Sequence, residues 1–483
     1  MLFLSIFTTL VSAIAGLALT NIRDPFFIKV ISTFFSGLAL LLSCILFICF
    51  DPDSFYFQFH TTYSIGSESL NMLYSFGIDN MSVLFFLLSS LLVFSCTLFI
   101  WNEKNFKEYA INLFLIQLFL LIIFSVLDLF LFYIFFEAIL VPMYLLIGLW
   151  GSRERKIRAV YLFFFYTLCG SILMLLGILY VYFIAGTLNI EYLFCFPFGE
   201  VEQTALWLFF FVSFASKIPM FPFHIWLPEA HVEAPTVGSV LLAGILLKLG
   251  VYGFIRFSIT LFPDASINYS PLIYLLSTIG VLYASLSAIR QSDLKRIIAY
   301  SSIAHMNLVT IGIFSFDILG LEGAVLQSIS HGFVSGGMFL LIGILYDRYH
   351  SRFLYYYGGL VHMMPIYAIL FLIFTLANIA LPGTSSFVGE FLLLAGIYKT
   401  SIITCVIAAL GVILCGTYSL WLYNRVIFGN LRIDYTLQFA DIIHREVLVL
   451  APLFLLIFIM GLYPSSFSYY INVACLNLTL LVS

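Results

Sequence analysis

Charge is scarce in this sequence: Asp, Glu, Lys and Arg together make up 9% of 483 residues, where a soluble domain carries about a quarter. That shortage excludes one large soluble core. The net charge of −4 offers no basic surface for nucleic acid, so none is expected as a partner. Also missing is any CxxC or Cys/His ligand spacing. The eight cysteines, Cys44, Cys49, Cys96, Cys169, Cys195, Cys405, Cys415 and Cys475, are scattered, mostly within apolar stretches. Disulfides, zinc and iron–sulfur clusters on this chain are therefore unsupported. Lys and Arg are absent from the first twenty residues, where a cleavable signal peptide would want a basic start, so this segment is read as a first membrane helix.

What is abundant is apolar sequence, 63% of all residues. Runs of roughly 18 or more apolar residues recur, each able to cross a hydrocarbon core about 30 Å thick. Lipid gives the backbone no hydrogen-bond partners, so spans are helices or closed barrels. The runs lack the alternation of barrel strands, which predicts an all-α polytopic membrane protein. About fourteen transmembrane helices are expected, from Leu2–Leu19 to Val447–Tyr463. They include Leu129–Trp150 (fifth), Thr204–Leu227 (seventh), Val237–Phe262 (eighth), Ile297–Phe316 (tenth), Gly323–Tyr346 (eleventh) and Met363–Tyr398 (twelfth). The connection from Asp51 to Asn80 is expected on the membrane surface.

The basic residues test the count, because they collect in loops on one side of a membrane. Sixteen of the 20 Lys and Arg fall in loops after odd-numbered spans, among them Arg23, Lys104, Arg290, Arg352, Arg425 and Arg432. Arg256 and Lys399 lie near the opposite face, whose loops are acidic (Asp51, Asp53, Glu68, Asp79, Glu191, Glu200, Glu202, Asp264). Both termini are then expected on the acidic side.

Two spans contain helix breakers. The seventh holds Lys217-Ile-Pro219 and Pro222, and the twelfth holds Leu381-Pro382-Gly383 ahead of Glu390; proline removes a donor and clashes with the preceding turn. Broken helices at matching places suggest inverted repeats. The expected organisation is 1–108 for three N-terminal helices, 109–262 and 271–428 for two inverted five-helix repeats, and 429–483 for a last helix and tail.

Lys217 and Lys248 remain inside the membrane, and four more spans carry Glu137, His305, His331 and Glu390. A charge at a helix centre costs about 2.5–3.5 kcal/mol even on insertion scales. Desolvation brings the proton affinities of lysine and carboxylate groups toward each other, and histidine titrates near neutral pH, so the set suits a proton relay. A Glu137–Lys217 ion pair that makes and breaks would switch it, with Ser301, Ser302, Gln327 and Ser330 holding water. Plainer readings stand beside this one: a static Glu137–Lys217 pair, packing histidines at 305 and 331, and a helix-capping role for Glu390. Glu229, His231 and Glu233 match no metal-ligand spacing and read as a loop at a half-helix end.

The run Phe223-His224-Ile225-Trp226-Leu227-Pro228-Glu229-Ala230-His231-Val232-Glu233-Ala234-Pro235-Thr236-Val237-Gly238-Ser239, continuing to Leu247-Lys248-Leu249-Gly250, closely resembles the signature of the antiporter-like subunits of respiratory complex I. So do Asp293 to Ser302, Ser330-His331-Gly332, Phe135-Phe136-Glu137-Ala138 and Val141-Pro142-Met143. The resemblance implies a proton-pumping module of NADH:ubiquinone oxidoreductase, with Glu137 and Lys217 as ion pair, Lys248 as central relay, and a continuation through His305 and His331 to Glu390. It implies other membrane-arm subunits, lipids and protons as partners. FMN, iron–sulfur clusters and ubiquinone would serve the complex elsewhere, with no cofactor on this chain. The larger relative with a long lateral helix is disfavoured, since the chain ends about twenty residues after the fourteenth span. The expected membrane is the mitochondrial inner membrane, or a bacterial inner membrane. Alternatives are an Mrp-type cation/proton antiporter and a structural scaffold.

Overall fold

A computed structural model describes residues 2–19, 24–65, 72–103, 105–431 and 440–482. Arg23, Glu68, Lys104 and Arg432 lie outside these residues. The chain is mostly helical. Its longer helices are α1 (Leu2–Leu19), α2 (Pro25–Cys49), α3 (Ser82–Phe99), α4 (Phe106–Ile123), α5 (Leu129–Ala138), α6 (Leu140–Trp150), α7 (Lys156–Ala185), α8 (Glu200–Lys217) and α9 (Trp226–Glu233). They continue with α10 (Thr236–Ile259), α11 (Ser270–Ile289), α12 (Leu294–Ile313), α13 (Ile318–Tyr349), α14 (Pro365–Asn378), α15 (Ser385–Thr400), α16 (Ile402–Ile427), α17 (His444–Leu462) and α18 (Ser465–Val482).

Among the described residues, ten helices are long and apolar enough to cross a membrane. The four expected spans not among them are informative. One is the short first helix, two are the broken spans, and the fourth is α12, whose apolar character is diluted by Lys295, Arg296, His305 and Asn307. The centre of the bundle is formed by α10 and α13, both buried along their membrane-length windows, while α2, α16 and α17 bury only 28% of theirs. Large apolar side chains such as Phe34, Ile413 and Leu455 accordingly face outward, as a lipid-facing surface requires.

Both expected breaks are present, and each covers the carbonyls it frees. Between α8 and α9, Met220 N–H reaches Ala215 O at 3.0 Å and Trp226 Nε1 donates to Ser216 O at 2.9 Å. Between α14 and α15, Gly383 has φ +94°, a conformation glycine adopts without a Cβ penalty. There Thr384 Oγ1 donates to Leu381 O at 2.7 Å and the Ser386 hydroxyl donates to Ala377 O.

Four features go beyond expectation. The fifth span loses one backbone bond at its middle, because Pro142 cannot donate to Ala138, yet Ile139 keeps helical dihedrals and α5 and α6 form one continuous span. The eighth carries two π-helical segments, Leu242–Leu246 and Phe254–Ile259, one on either side of Lys248. Within the 51–80 connection, expected only to lie on the membrane surface, β1 (Gln58–Ile65) and β2 (Met72–Ile78) pair antiparallel, so a small two-stranded sheet qualifies the all-α class. It is tied down by Gly77 N–H on Ser125 O (2.8 Å) and Leu127 N–H on Ser75 O (2.9 Å). The expected tail is the helix α18, which runs along the acidic face: Tyr469 donates to Asp53 at 2.8 Å, and Asn477 and Leu478 lie beside Asp79 and Arg256.

Candidate functional site

Small residues first bring the central helices together. A Cβ on Gly332 of α13 would lie 3.1 Å from Gly244 O of α10, so the two backbones meet beside the relay candidates. Between them Lys248 Nζ sits 2.9 Å from His331 Nδ1 and donates to Ala243 O at 2.6 Å. That carbonyl belongs to the first π segment, where the usual i→i+4 pattern is shifted, as in Leu247 N–H on Leu242 O. Lys248 is fully buried and His331 is 3% exposed. An ammonium at Nζ requires Nδ1 of His331 to accept, which puts the neutral ring's proton on Nε2. Nε2 itself is buried with no protein partner.

His305 lies on the far side of His331, with ring centroids 5.8 Å apart and planes at 52°. Its Nδ1 faces Glu390 Oε1 at 3.0 Å, with both side chains almost wholly buried. Gln327 Nε2 donates to the same oxygen at 3.0 Å. Glu390 lies one turn beyond the start of α15, whose N-cap is Thr384; its carboxylate serves His305, not the helix end. The spatial order is therefore Lys248, His331, His305, Glu390, which exchanges the two histidines relative to their order along the chain.

The expected Glu137–Lys217 pair is not closed. No salt bridge within 4.0 Å joins them. Lys217 Nζ instead lies over the Phe136 ring, 4.5 Å from its centroid, a cation–π contact that a desolvated ammonium favours. Glu137 Oε1 is buried without a hydrogen-bond partner, and its carboxyl remains within the field of Lys217 and beside Ser171. The pair is thus near but apart, and Lys217 is linked to Lys248 by no direct side-chain contact.

Other polar candidates divide. Ser330 shares a hydrogen bond with Ser385 at 2.7 Å, while Ser301 and Ser302 turn back onto Ile298 O. Two residues that sequence reasoning left aside, Cys415 and Tyr418, belong to the network, and a third buried histidine stands apart from it. Cys415 Sγ is 3.6 Å from His305 Nε2 and accepts from Tyr418 OH at 2.9 Å. His231, fully buried, has both ring nitrogens unpartnered and stacks on Phe339 at 4.8 Å. His231 stood in the resembling motif but was weighed only as a metal ligand; Cys415 carried no signal beyond its apolar surroundings.

Toward the basic face, several buried and half-buried charges are paired. Arg352, 3% exposed, holds Glu233 and Asp293, each at 2.9 Å, and also donates to Val232 O. Burial pushes the Asp293 carboxyl up and Arg352 opposes it. Lys295 donates to Ala234 O at 2.8 Å and Arg296 pairs with Glu229 at 2.5 Å. Glu229 and Glu233 are thus occupied by arginines, and no group of three metal-ligating side chains occurs among the described residues. On the opposite face, Arg256 meets Asp79 at 2.8 Å and Lys399 meets Asp317 at 3.0 Å. The two exceptions to the charge asymmetry are each neutralised by an acid.

Comparison with known proteins identifies the family of the chain. The family described as NADH:quinone oxidoreductase/Mrp antiporter, TM matches residues 126–415. The chain is 52% identical over 450 residues to NADH-ubiquinone oxidoreductase chain 4 of Chondrus crispus, covering 93% of this chain and 91% of that one. It is 50% identical over 443 residues to chain 4 of Arabidopsis thaliana (91% and 89%). It is 44% identical over 439 residues to NADH-quinone oxidoreductase subunit M of Rhodobacter capsulatus (88% and 85%). Its fold superposes on a chain of respiratory complex I from Thermus thermophilus with a TM-score of 0.91, 30% identity and full coverage of both. A family match over more than half the chain, with relatives about half identical along nine-tenths of it, leads to one conclusion: the chain belongs to the NADH:quinone oxidoreductase/Mrp antiporter membrane family, and within it to the complex I chain 4, or subunit M, type.

Proposed function

We propose that this chain is a proton-translocating membrane subunit of NADH:ubiquinone oxidoreductase, in which Lys248, His331, His305 and Glu390 pass protons across the centre of the bundle. The single observation that carries the reading is the buried sequence of contacts, Lys248 to His331 at 2.9 Å and His305 to Glu390 at 3.0 Å. In this mechanism the Lys248 ammonium delivers a proton to His331 Nδ1, and the resulting imidazolium releases the one on Nε2. His305, whose ring centroid is 5.8 Å away, takes up a proton at Nε2, and the resulting imidazolium gives the one on Nδ1 to Glu390 Oε1. Glu137 and Lys217 form the input switch: as Lys217 leaves the Phe136 face for Glu137, the local field at Lys248 changes. One charge moved against 100 mV requires about 2.3 kcal/mol, within the range of a hydrogen bond to a charged group.

The reading includes no cofactor on this chain, with FMN, the iron–sulfur clusters and ubiquinone on other subunits. Neighbouring antiporter-like subunits and lipids are its partners in the mitochondrial inner membrane, with the basic loops on the matrix side and both termini on the intermembrane-space side. Residues 109–262 and 271–428 are proposed as inverted five-helix repeats, supported by the breaks after Lys217 and after Asn378. The Mrp-type antiporter is disfavoured by relatives that carry the complex I name at 44–52% identity. The deciding experiment compares proton pumping with NADH oxidation in the assembled complex bearing Lys217→Ala or Lys248→Ala. Intact pumping with intact assembly would overturn the relay, sodium-dependent proton flux by the isolated chain would favour the antiporter, and lost assembly alone would favour a scaffold.

A further inference from the structure

On the basic face, α11 and α16 pack side by side and end at a cleft of about 600 Å³. Two arginines line it. Arg290 is the C-cap of α11, and Arg425 lies in the last turn of α16 with its guanidinium 5.4 Å from the centre of the Trp421 ring. Neither has a carboxylate within 4.0 Å among the described residues. Asp293, three residues past Arg290, is taken by Arg352 at 2.9 Å. On the same face Arg296, Arg348 and Arg352 are each paired with an acid.

The walls are amphipathic. Tyr355 and Phe428 are 64% and 50% exposed, and with Trp421 they give the mixed aromatic lining typical of the headgroup level. Below the arginines the same two helices turn Leu286 and Leu420 outward, 54% and 50% exposed, and Ile279 and Ile413 continue that apolar flank toward mid-membrane. The Trp421 ring lies within cation–π reach of the Arg425 head, and a guanidinium's edge donors suit an oxygen pair such as a phosphate's. Basic pockets between transmembrane helices at this level are suited to anionic headgroups.

We propose that the cleft between the basic-face ends of α11 and α16 binds an anionic phospholipid, its phosphate held by Arg290 and Arg425 and its acyl chains laid along the exposed flank below. A free phosphate would satisfy the same arginines but would leave that flank uncovered. The test uses the assembled complex in phosphatidylcholine nanodiscs containing a trace of photoactivatable phosphatidylglycerol. The expected result is labelling of the peptides that carry Arg290 and Arg425, displaced by unlabelled phosphatidylglycerol and not by added phosphatidylcholine. Arg290→Gln/Arg425→Gln should reduce it at least about tenfold, since each arginine supplies charge-assisted bonds. Equal labelling by a photoactivatable phosphatidylcholine would overturn the proposal, as would labelling unchanged in the double variant. Displacement by millimolar inorganic phosphate would reassign the site to a soluble anion. The wild-type competition decides the matter even where the double variant fails to assemble.

Discussion

Lys248 and His331 stand in direct contact, nitrogen to nitrogen at 2.9 Å, on two helices that are both buried along their membrane-length windows. An ammonium against an imidazole in such a place leaves little room for substitution.

Lys248→Met keeps the unbranched stem of the side chain and removes its ammonium group. Charge transit would then face an unassisted mid-membrane step, a penalty of about 2.5–3.5 kcal/mol, or roughly a hundredfold in rate. Proton uptake by inverted membrane vesicles, read beside NADH oxidation, should fall accordingly with assembly retained. Pumping at the wild-type ratio would remove Lys248 from the path.

His305→Gln removes the group 3.0 Å from Glu390 and leaves the carboxyl with Gln327. Hydrogen bonds to charged groups contribute about 1.5–3 kcal/mol, so both pumping and the thermal stability of the assembled membrane arm should drop. Cys415→Ser, which keeps a small polar atom beside His305 Nε2, should cost far less in both measurements. Equal losses in the two variants would argue that the pocket serves packing alone.

Arg352→Ala strands Glu233 and Asp293. Removing one partner of a buried ion pair destabilises by about 3–5 kcal/mol, and the amount of assembled complex on a native gel should fall sharply. Arg352→Lys should rescue only part, because one ammonium cannot reproduce a guanidinium that reaches two carboxylates and a carbonyl.

Gly389→Ala would place a methyl 2.8 Å from both N and Cα of Gln327. Backbone atoms cannot yield as a flexible side chain does, so α15 must move away from α13. A cost of about 1–3 kcal/mol is expected from such overpacking. A lengthened Gln327–Glu390 contact, visible by cryo-electron microscopy of the variant complex, is the accompanying sign; an unchanged 3.0 Å contact would refute this account.

Much of this arrangement was legible in the sequence, for identifiable reasons. Proline and buried charge are local signals: Pro219 and Pro382 mark breaks wherever the rest of the chain goes, and Lys217, Lys248 and Glu390 are conspicuous against apolar neighbours. The order of His305 and His331 was not legible, because it depends on which faces of α12 and α13 meet. Nor were the π segments, since Leu242–Leu246 and Phe254–Ile259 have no composition that separates π from α. The two strands within 58–78 were hidden by their length and their Ser and aromatic content, and α18 by its position beyond the last expected span. Cys415 became part of the network only when α16 was placed beside α12.

The two π segments of α10 have a mechanical consequence. Each winds an extra residue into its turn, and a residue of α-helix corresponds to about 100° of rotation. Lys248 is thus mounted on a short α-helical cassette between two winding defects. Relaxing the first defect to regular α-helix would swing the ammonium around the helix axis, away from His331 and from Ala243 O. Contact between these two nitrogens is consequently conditional on helical winding, a quantity that can change without any helix tilting or sliding.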